Sequence, residues 1–330
     1  MHTYARATGG GCGEITGRPR RVRFRPWGGM AFGALLNALL LLLLLAACSA
    51  ASSTYSESEA LVHSYLAGAS YCSAASLERW QCGASCNALP SGVSNLTWFM
   101  GDNDDAFGFV GRYEGKCVAS FRGTTELKGW MRDLESVLPR RLDNCSFQGD
   151  TCEVGDGFLK NYLSFRPAFL SAVDGLGCGH TSSDGITVVG HSLGASEAAI
   201  AMWDLHVNGY ALSAGYTFGQ PRTGNKAFHD AFTAAGLVQW RVTHHKDPVV
   251  HLPPEALGFH HVATEVFYPG LTSENYTVCD GSGEADKCAD QFWDVPAMMV
   301  VCLEDGEKEC DHLTYLFNAR TFRLDSESCE

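Results

Sequence analysis

One short stretch limits the possible folds of this chain more than any other. Ile186-Thr187-Val188-Val189 is an apolar, β-branched run that passes through Gly190-His191-Ser192-Leu193-Gly194 into an alanine-rich segment ending near Val207. β-Branched residues favour strands and alanine favours helices, so the stretch reads as strand, tight turn and helix. A serine on such a turn needs small residues two before and two after it, because the two backbones crowd there. The turn lifts the hydroxyl above the sheet and sets a helix N-terminus beside it. The G-x-S-x-G pattern occurs once in the chain. A glycine-bounded loop with a solvated serine is the bland alternative, and the flanking strand and helix argue against it.

The surrounding pattern agrees. Helical periodicity covers 58–71, with Leu61, Val62, Tyr65, Leu66 and Ala69 on one stripe, and recurs at roughly 157–176, 194–207 and 225–236. Short β-rich runs lie at Ala106–Tyr113, Lys116–Phe121, Ile186–Val189, Tyr216–Phe218, Arg241–Thr243 and Ala263–Tyr268. Strands alternating with helices predict an α/β fold whose central sheet is mostly parallel and flanked by helices. No repeat or internal linker divides it, so residues 51–330 are expected to form one domain.

A neutral serine hydroxyl needs a base to take its proton, and the base needs a carboxylate to fix its tautomer. His312, after an acidic loop and before an apolar stretch, is the candidate base. Asp247, just beyond the run ending at Thr243, is the candidate acid. The order Ser192, Asp247, His312 is the one expected when the serine sits on a strand-to-helix elbow. Asp311 competes for the acid role but would have to turn back sharply to reach the neighbouring ring. His244, His245, His251, His260 and His261 cluster in sequence as metal ligands would. They lack i, i+4 spacing on a predicted helix and have no cysteine pair among them, so no metal and no cofactor are expected.

At this point the chain resembles the class 3 lipases, the filamentous-fungal type of triacylglycerol lipase. The resemblance runs from about Tyr65 to the C-terminus. It rests on Phe121-Arg122-Gly123-Thr124, Gly190–Ala195, Gly219-Gln220-Pro221-Arg222-Thr223-Gly224-Asn225, Asp247–Pro254 and Asp311-His312-Leu313-Thr314-Tyr315. It implies an α/β-hydrolase fold with a helical lid and the same three catalytic residues. It also implies an oxyanion hole built from Thr124 and Leu193. Leu193 qualifies on position alone, as the residue after the nucleophile at a helix start. The resemblance further implies disulfides Cys72–Cys329, Cys82–Cys86 and Cys279–Cys288. It departs at Gly155, where relatives commonly carry histidine.

Glu126 to Leu138 matches the family's lid segment. Leu127, Trp130, Met131, Leu134, Val137 and Leu138 recur at helical spacing, with charged residues between them. An ordinary core-facing helix shows the same periodicity. Position beside Thr124, with Gly123 and Gly129 as hinges, favours a flap that opens on a lipid surface. Acyl glycerols are then the expected substrates. The rivals are a phospholipase A1 or feruloyl-type esterase on the same fold and, from another class, a catalytically silent lipid-binding protein.

The N-terminal fifty residues read as a leader. Arg18, Arg20, Arg21, Arg23 and Arg25 precede a leucine-rich run from Leu35 to Leu45, and small residues follow. That pattern predicts a secretory signal peptide over 1–50. An uncleaved anchor, or lipidation of Cys48, is the alternative. The leader holds six of the 24 basic residues and one of the 37 acidic ones, leaving 18 against 36, a net charge of −18. Such a surface repels nucleic acid and anionic bilayers, so a neutral or zwitterionic lipid surface is expected, with no obligate protein partner. Besides Cys12 and Cys48, twelve cysteines remain, an even number that behind a signal peptide predicts disulfides. Cys82/Cys86, Cys145/Cys152, Cys279/Cys288 and Cys302/Cys310 are spaced to close short loops, whereas Cys117 and Cys178 have no assigned partner. Sequons at Asn95, Asn144 and Asn275 fit the same compartment.

Overall fold

The computed structural model describes residues 54–102, 106–134, 137–179, 185–262, 264–270, 275–304, 310–316 and 329. The expected leader and Cys48 lie outside the described residues. No helix among the described residues is long and apolar enough to cross a membrane.

Residues 54–330 form one compact unit. Its main sheet has eight strands in the order β1-β2-β3-β6-β7-β9-β11-β12. These are β1 (Val93–Met100), β2 (Phe107–Tyr113), β3 (Lys116–Phe121), β6 (Ile186–His191), β7 (Leu212–Phe218), β9 (Gln239–His244), β11 (Thr264–Tyr268) and β12 (Thr277–Val278). The pairs from β3 to β11 are parallel, while β1, β2 and β12 join antiparallel at the edges. A second, antiparallel sheet has the order β10-β8-β5-β4, from β4 (Pro139–Phe147), β5 (Asp150–Gly155), β8 (Gly224–Asn225) and β10 (Phe259–His260).

Eight α-helices lie among the described residues: α1 (Glu57–Ala69), α2 (Ala74–Glu78), α3 (Gly83–Ala88), α4 (Leu127–Leu134), α5 (Asp156–Gly175), α6 (Leu193–Val207), α7 (Lys226–Ala234) and α8 (Val295–Glu304). Ser56 caps α1 by accepting from the Glu59 amide at 3.3 Å. The expected stripe along α1 is only partly buried. Burial gathers instead at its C-terminal end, on Leu66, Ala67, Gly68 and Ala69, where the helix runs onto β6 and β7. Helix α6 packs on the same two strands and is buried almost all round, as its alanines allow.

The parallel centre and the helices follow the expected pattern. Strand β1 and the β4–β5 hairpin are additions to it. Of the helix expected over 126–138, Leu127–Leu134 is helical among the described residues. Pro139 disfavours helical geometry at the residue before it, and Leu138 leads into β4 with 70% of its surface exposed.

All twelve described cysteines are paired. The disulfides are Cys72–Cys329, Cys82–Cys86, Cys117–Cys178, Cys145–Cys152, Cys279–Cys288 and Cys302–Cys310. Cys117 and Cys178, unassigned from the sequence, tie the start of β3 to the residues that follow α5. Asn95, Asn144 and Asn275 are all exposed.

His63 on α1 gives the fold a pH dependence. Its Nδ1 donates to the Glu59 carbonyl at 2.7 Å, and its ring stacks on Tyr216 with centroids 4.3 Å apart. Burial pushes its pKa down to about 4, against 6.5 in an unfolded chain. Between those values the unfolded chain binds the extra proton and the folded chain does not, so this site's share of stability falls as pH drops from 6.5 to 4. His63→Gln is expected to flatten that part of the slope, read from urea midpoints at close pH steps. An unchanged slope would show that His63 titrates alike in both states.

Candidate active site

The site forms where β6 gives way to α6. Every residue of β6 is buried, and the chain reverses at Ser192 with φ 59° and ψ −128°. A non-glycine residue in that region costs on the order of 1–3 kcal/mol and persists only when its surroundings hold it. Here the Ser192 amide donates to the Phe218 carbonyl at 3.0 Å, and the Ser192 carbonyl accepts from Ala195 at 3.0 Å. The crowding inferred from the sequence is present. A Cβ on Gly194 would lie 2.3 Å from the Phe121 carbonyl oxygen, so only glycine lets α6 approach the end of β3.

Asp247 and His312 meet beside this turn. His312 Nδ1 donates to Asp247 Oδ2 at 2.8 Å, and both side chains are fully buried. With Nδ1 carrying the proton, Nε2 of the neutral ring presents its lone pair. That atom and Ser192 Oγ are both buried without a hydrogen-bond partner. The approach of His312 to Asp247 requires Gly219, at φ +56°, where an added Cβ would lie 2.8 Å from the imidazole and 2.9 Å from the carboxylate. Asp311 is not the partner of His312. Its Oδ2 bonds His245 Nδ1 at 2.9 Å and the Lys246 amide at 3.2 Å.

Two tyrosines, given no role in the sequence reading, complete the arrangement. The Tyr315 hydroxyl donates to Asp247 Oδ2 at 2.5 Å, and the Val249 amide donates to Oδ1 at 2.8 Å. Burial pushes the Asp247 pKa up, but His312, Tyr315 and Val249 together outweigh it and hold the group below the ordinary carboxylate range. Burial and the nearby carboxylate keep Tyr315 protonated well above its usual pKa. His191 joins the second tyrosine to the histidine. Its Nε2 lies 2.8 Å from the His312 carbonyl, which can only accept, so Nδ1 accepts from the Tyr71 hydroxyl at 2.6 Å. Burial holds His191 neutral.

The other expected residues surround this centre. Thr124 is buried, and its Oγ1 accepts from the Glu126 amide at 3.0 Å. Leu193 opens α6 and lines a cavity of about 460 Å³. Trp130, Leu134, Val137 and Phe158 form the apolar wall of that cavity, and Glu126, Asp133 and Asn161 form its polar one. Helix α4 turns Leu127, Met131 and Leu134 inward, with Trp130 half-buried and its ring 6.4 Å from that of Phe158. At Gly155 a Cβ would meet the Phe158 ring at 2.6 Å.

The histidine-rich segment does not assemble. His244, His260 and His261 each bond a backbone carbonyl, at 3.1, 2.8 and 2.7 Å. Among the described residues, Glu265, Cys279 and Cys288 form the one group at metal-ligand spacing, and those two cysteines are joined as a disulfide.

With this geometry in hand, the similarity to known proteins is specific. The family model described as lipase (class 3) matches residues 118–257, the span from β3 through the acid loop. The lipase of Rhizomucor miehei is 30% identical over 199 residues, covering 59% of this chain and 50% of that protein. The secreted mono- and diacylglycerol lipase 1 of Fusarium solani is 30% identical over 176 residues, covering 50% and 49%. A solved triacylglycerol lipase, described as having a serine protease triad as its catalytic centre, superposes with a TM-score of 0.66. It is 25% identical and covers 84% of this chain and 98% of that one.

Residues 118–257 match the class 3 lipase family model, and the chain is similar to lipases on either side of that span. Its fold is the α/β-hydrolase fold expected from the sequence. The chain spans about half the length of the first two curated relatives.

Tyr315→Phe tests the stabilising hydrogen bonds of the site. It removes one donor from a buried carboxylate that keeps two others, and is expected to cost about 1.5–3 kcal/mol. Urea unfolding at pH 7 measures this. A midpoint equal to that of the native chain would show that Tyr315 contributes nothing to holding Asp247.

Proposed function

We propose that the chain is a secreted serine carboxylic ester hydrolase that cleaves acyl glycerols, triacylglycerols foremost, through an acyl-enzyme. One observation carries this reading. Ser192 Oγ and His312 Nε2 are both buried and unpartnered beside one turn, and the His312 ring is fixed by Asp247.

The chemistry follows from those atoms. Ser192 Oγ attacks the ester carbonyl as His312 Nε2 takes its proton, and Asp247 stabilises the imidazolium through Nδ1–H. The oxyanion forms beside the start of α6, where the Leu193 amide is one donor and Thr124 the other. Each such donor supplies roughly 3–4 kcal/mol. His312 then returns its proton to the leaving alkoxide. Water, activated by the same nitrogen, hydrolyses the acyl-serine and frees the acid.

The substrate class rests on α4 and the cavity. In water, Leu127, Met131 and Leu134 are buried, and exposing them costs roughly 1.5–3 kcal/mol per side chain. A lipid surface removes that cost, so the open form gains there without any change in the catalytic residues. Names among the relatives point the same way, since the Rhizomucor miehei and Fusarium solani proteins are called lipases and the latter a secreted one. Secretion is supported further by the leader sequence, the paired cysteines and the exposed sequons.

Two outcomes test this reading. Ser192→Ala is expected to reduce hydrolysis by at least about three orders of magnitude and to abolish labelling by a fluorophosphonate probe. Labelling that survives the substitution would move the nucleophile elsewhere. Tributyrin hydrolysis is expected to climb sharply at the solubility limit, and Trp130→Ala to flatten the climb more than it slows cleavage of a dissolved ester. A smooth curve through that limit, unaltered by the substitution, would make α4 a fixed helix and the enzyme an esterase.

A further inference from the structure

The segment Gly219–Asn225 is a hallmark of the sequence, yet the reaction uses none of its charged groups. At its centre Arg222 is a guanidinium with 3% exposure, packed behind the loop that carries Asp247. A charge in that position is costly to bury unless every face of it is satisfied.

The guanidinium faces acids on one side and carbonyls on the other, and Nη2 also lies 3.4 Å from Asp290 Oδ1 and 3.5 Å from Glu255 Oε1. Its Nε and Nη2 edge lies on Glu284, with Nε to Oε1 at 3.0 Å and Nη2 to Oε2 at 2.8 Å. Its Nη1 faces the other way and donates to the His251 carbonyl at 2.6 Å and the Pro253 carbonyl at 3.4 Å. The Arg222 amide donates to the Leu252 carbonyl at 2.8 Å. Three consecutive carbonyls of the acid loop are thus held by one residue. That loop bears Asp247 at its start, and its Val249 amide is a donor to the Asp247 carboxylate. Glu284 is itself fixed, because it accepts from the His261 amide at 2.8 Å and lies inside the loop closed by Cys279–Cys288.

We propose that Arg222 is a positioning residue for Asp247. Anchored on Glu284, it clamps residues 251–253 and so fixes the loop that aims the carboxylate at His312 Nδ1. Lysine cannot replace it, since one ammonium cannot span a carboxylate on one side and two carbonyls on the other. The inference rests on the triad assigned above.

A double-mutant cycle tests it on the full chain with a dissolved p-nitrophenyl ester. Arg222→Lys is expected to lower kcat by about 10- to 100-fold with KM little changed, the scale of a small misplacement of a catalytic group. In an Asp247→Asn background, whose residual rate is read against Ser192→Ala, the same change is expected to cost less than about twofold. Glu284→Gln, which keeps the shape and loosens the anchor, is expected to follow the same pattern more weakly. A native kcat in folded Arg222→Lys would overturn the proposal, as would an equal loss in both backgrounds. Failure of both Arg222→Lys and Glu284→Gln to fold would overturn it too, because the cluster would then support the fold and not the acid. Full activity in Asp247→Asn would instead overturn the triad and leave the clamp without an object.

Discussion

The arrangement depends on one buried carboxylate. Asp247 has no exposed surface, yet burial favours the neutral acid, and a neutral acid would not hold an imidazolium. Three donors keep it charged. They come from His312, from Tyr315 and from Val249, in the acid's own loop. Each donor constrains a different stretch of chain. The 312–315 segment must return to the sheet, the 247–253 loop must fold back on itself, and Gly219 must stay bare for the two to meet. Removing one partner from such a group leaves an uncompensated charge, which is why its surroundings are so fully specified.

Sequence distance is the second constraint. His312 and Asp247 are 65 residues apart, and Ser192 lies further back, just past the end of β6. Parallel strands β6, β7 and β9 deliver their exits to one edge of the sheet, so Ser192, Gly219 and the acid loop arrive there without further devices. The His312 segment has no strand of its own among the described residues. Cys302–Cys310 ties it to α8, and its 312 carbonyl takes a bond from His191. The Ser192 turn therefore holds the His312 segment through His191, and Tyr71 sets the His191 tautomer.

Much of this was legible in the sequence where local chemistry has one outcome. A β-branched run entering glycine, serine, glycine and then alanines can hardly be anything but the β6–α6 turn. Asp247 and His312 could be chosen because each follows an apolar or acidic stretch at a loop. Strand β1 was not legible, because Phe99 is its one fully buried residue and its exposure does not alternate cleanly. The β4–β5 hairpin, with Arg140, Arg141 and Asp143 exposed, looks polar along its length. The Cys117–Cys178 bridge depends on β3 pairing with β6, a tertiary fact that no spacing records. Tyr71, Tyr315 and Arg222 were missed for a like reason. Their partners are set by packing, and a buried tyrosine or arginine carries no mark of its partner in sequence.

Helix α4 shows how a local element can depend on its surroundings. A helix of roughly two or three turns is marginal alone in water, and α4 is held by Leu127, Met131 and Leu134 against the core. The same three side chains therefore supply both its order and its reason to stay closed. A helix of this kind cannot swing free into water and remain a helix. It needs a second apolar surface in exchange for the first, and in the proposed opening that surface is the substrate itself. The net charge of −18 over residues 51–330 narrows which surfaces qualify for that proposed opening, since an anionic bilayer repels such a surface. Neutral acyl glycerol droplets meet both demands. In the proposed opening, the apolar face selects lipid and the charge around it selects which lipid.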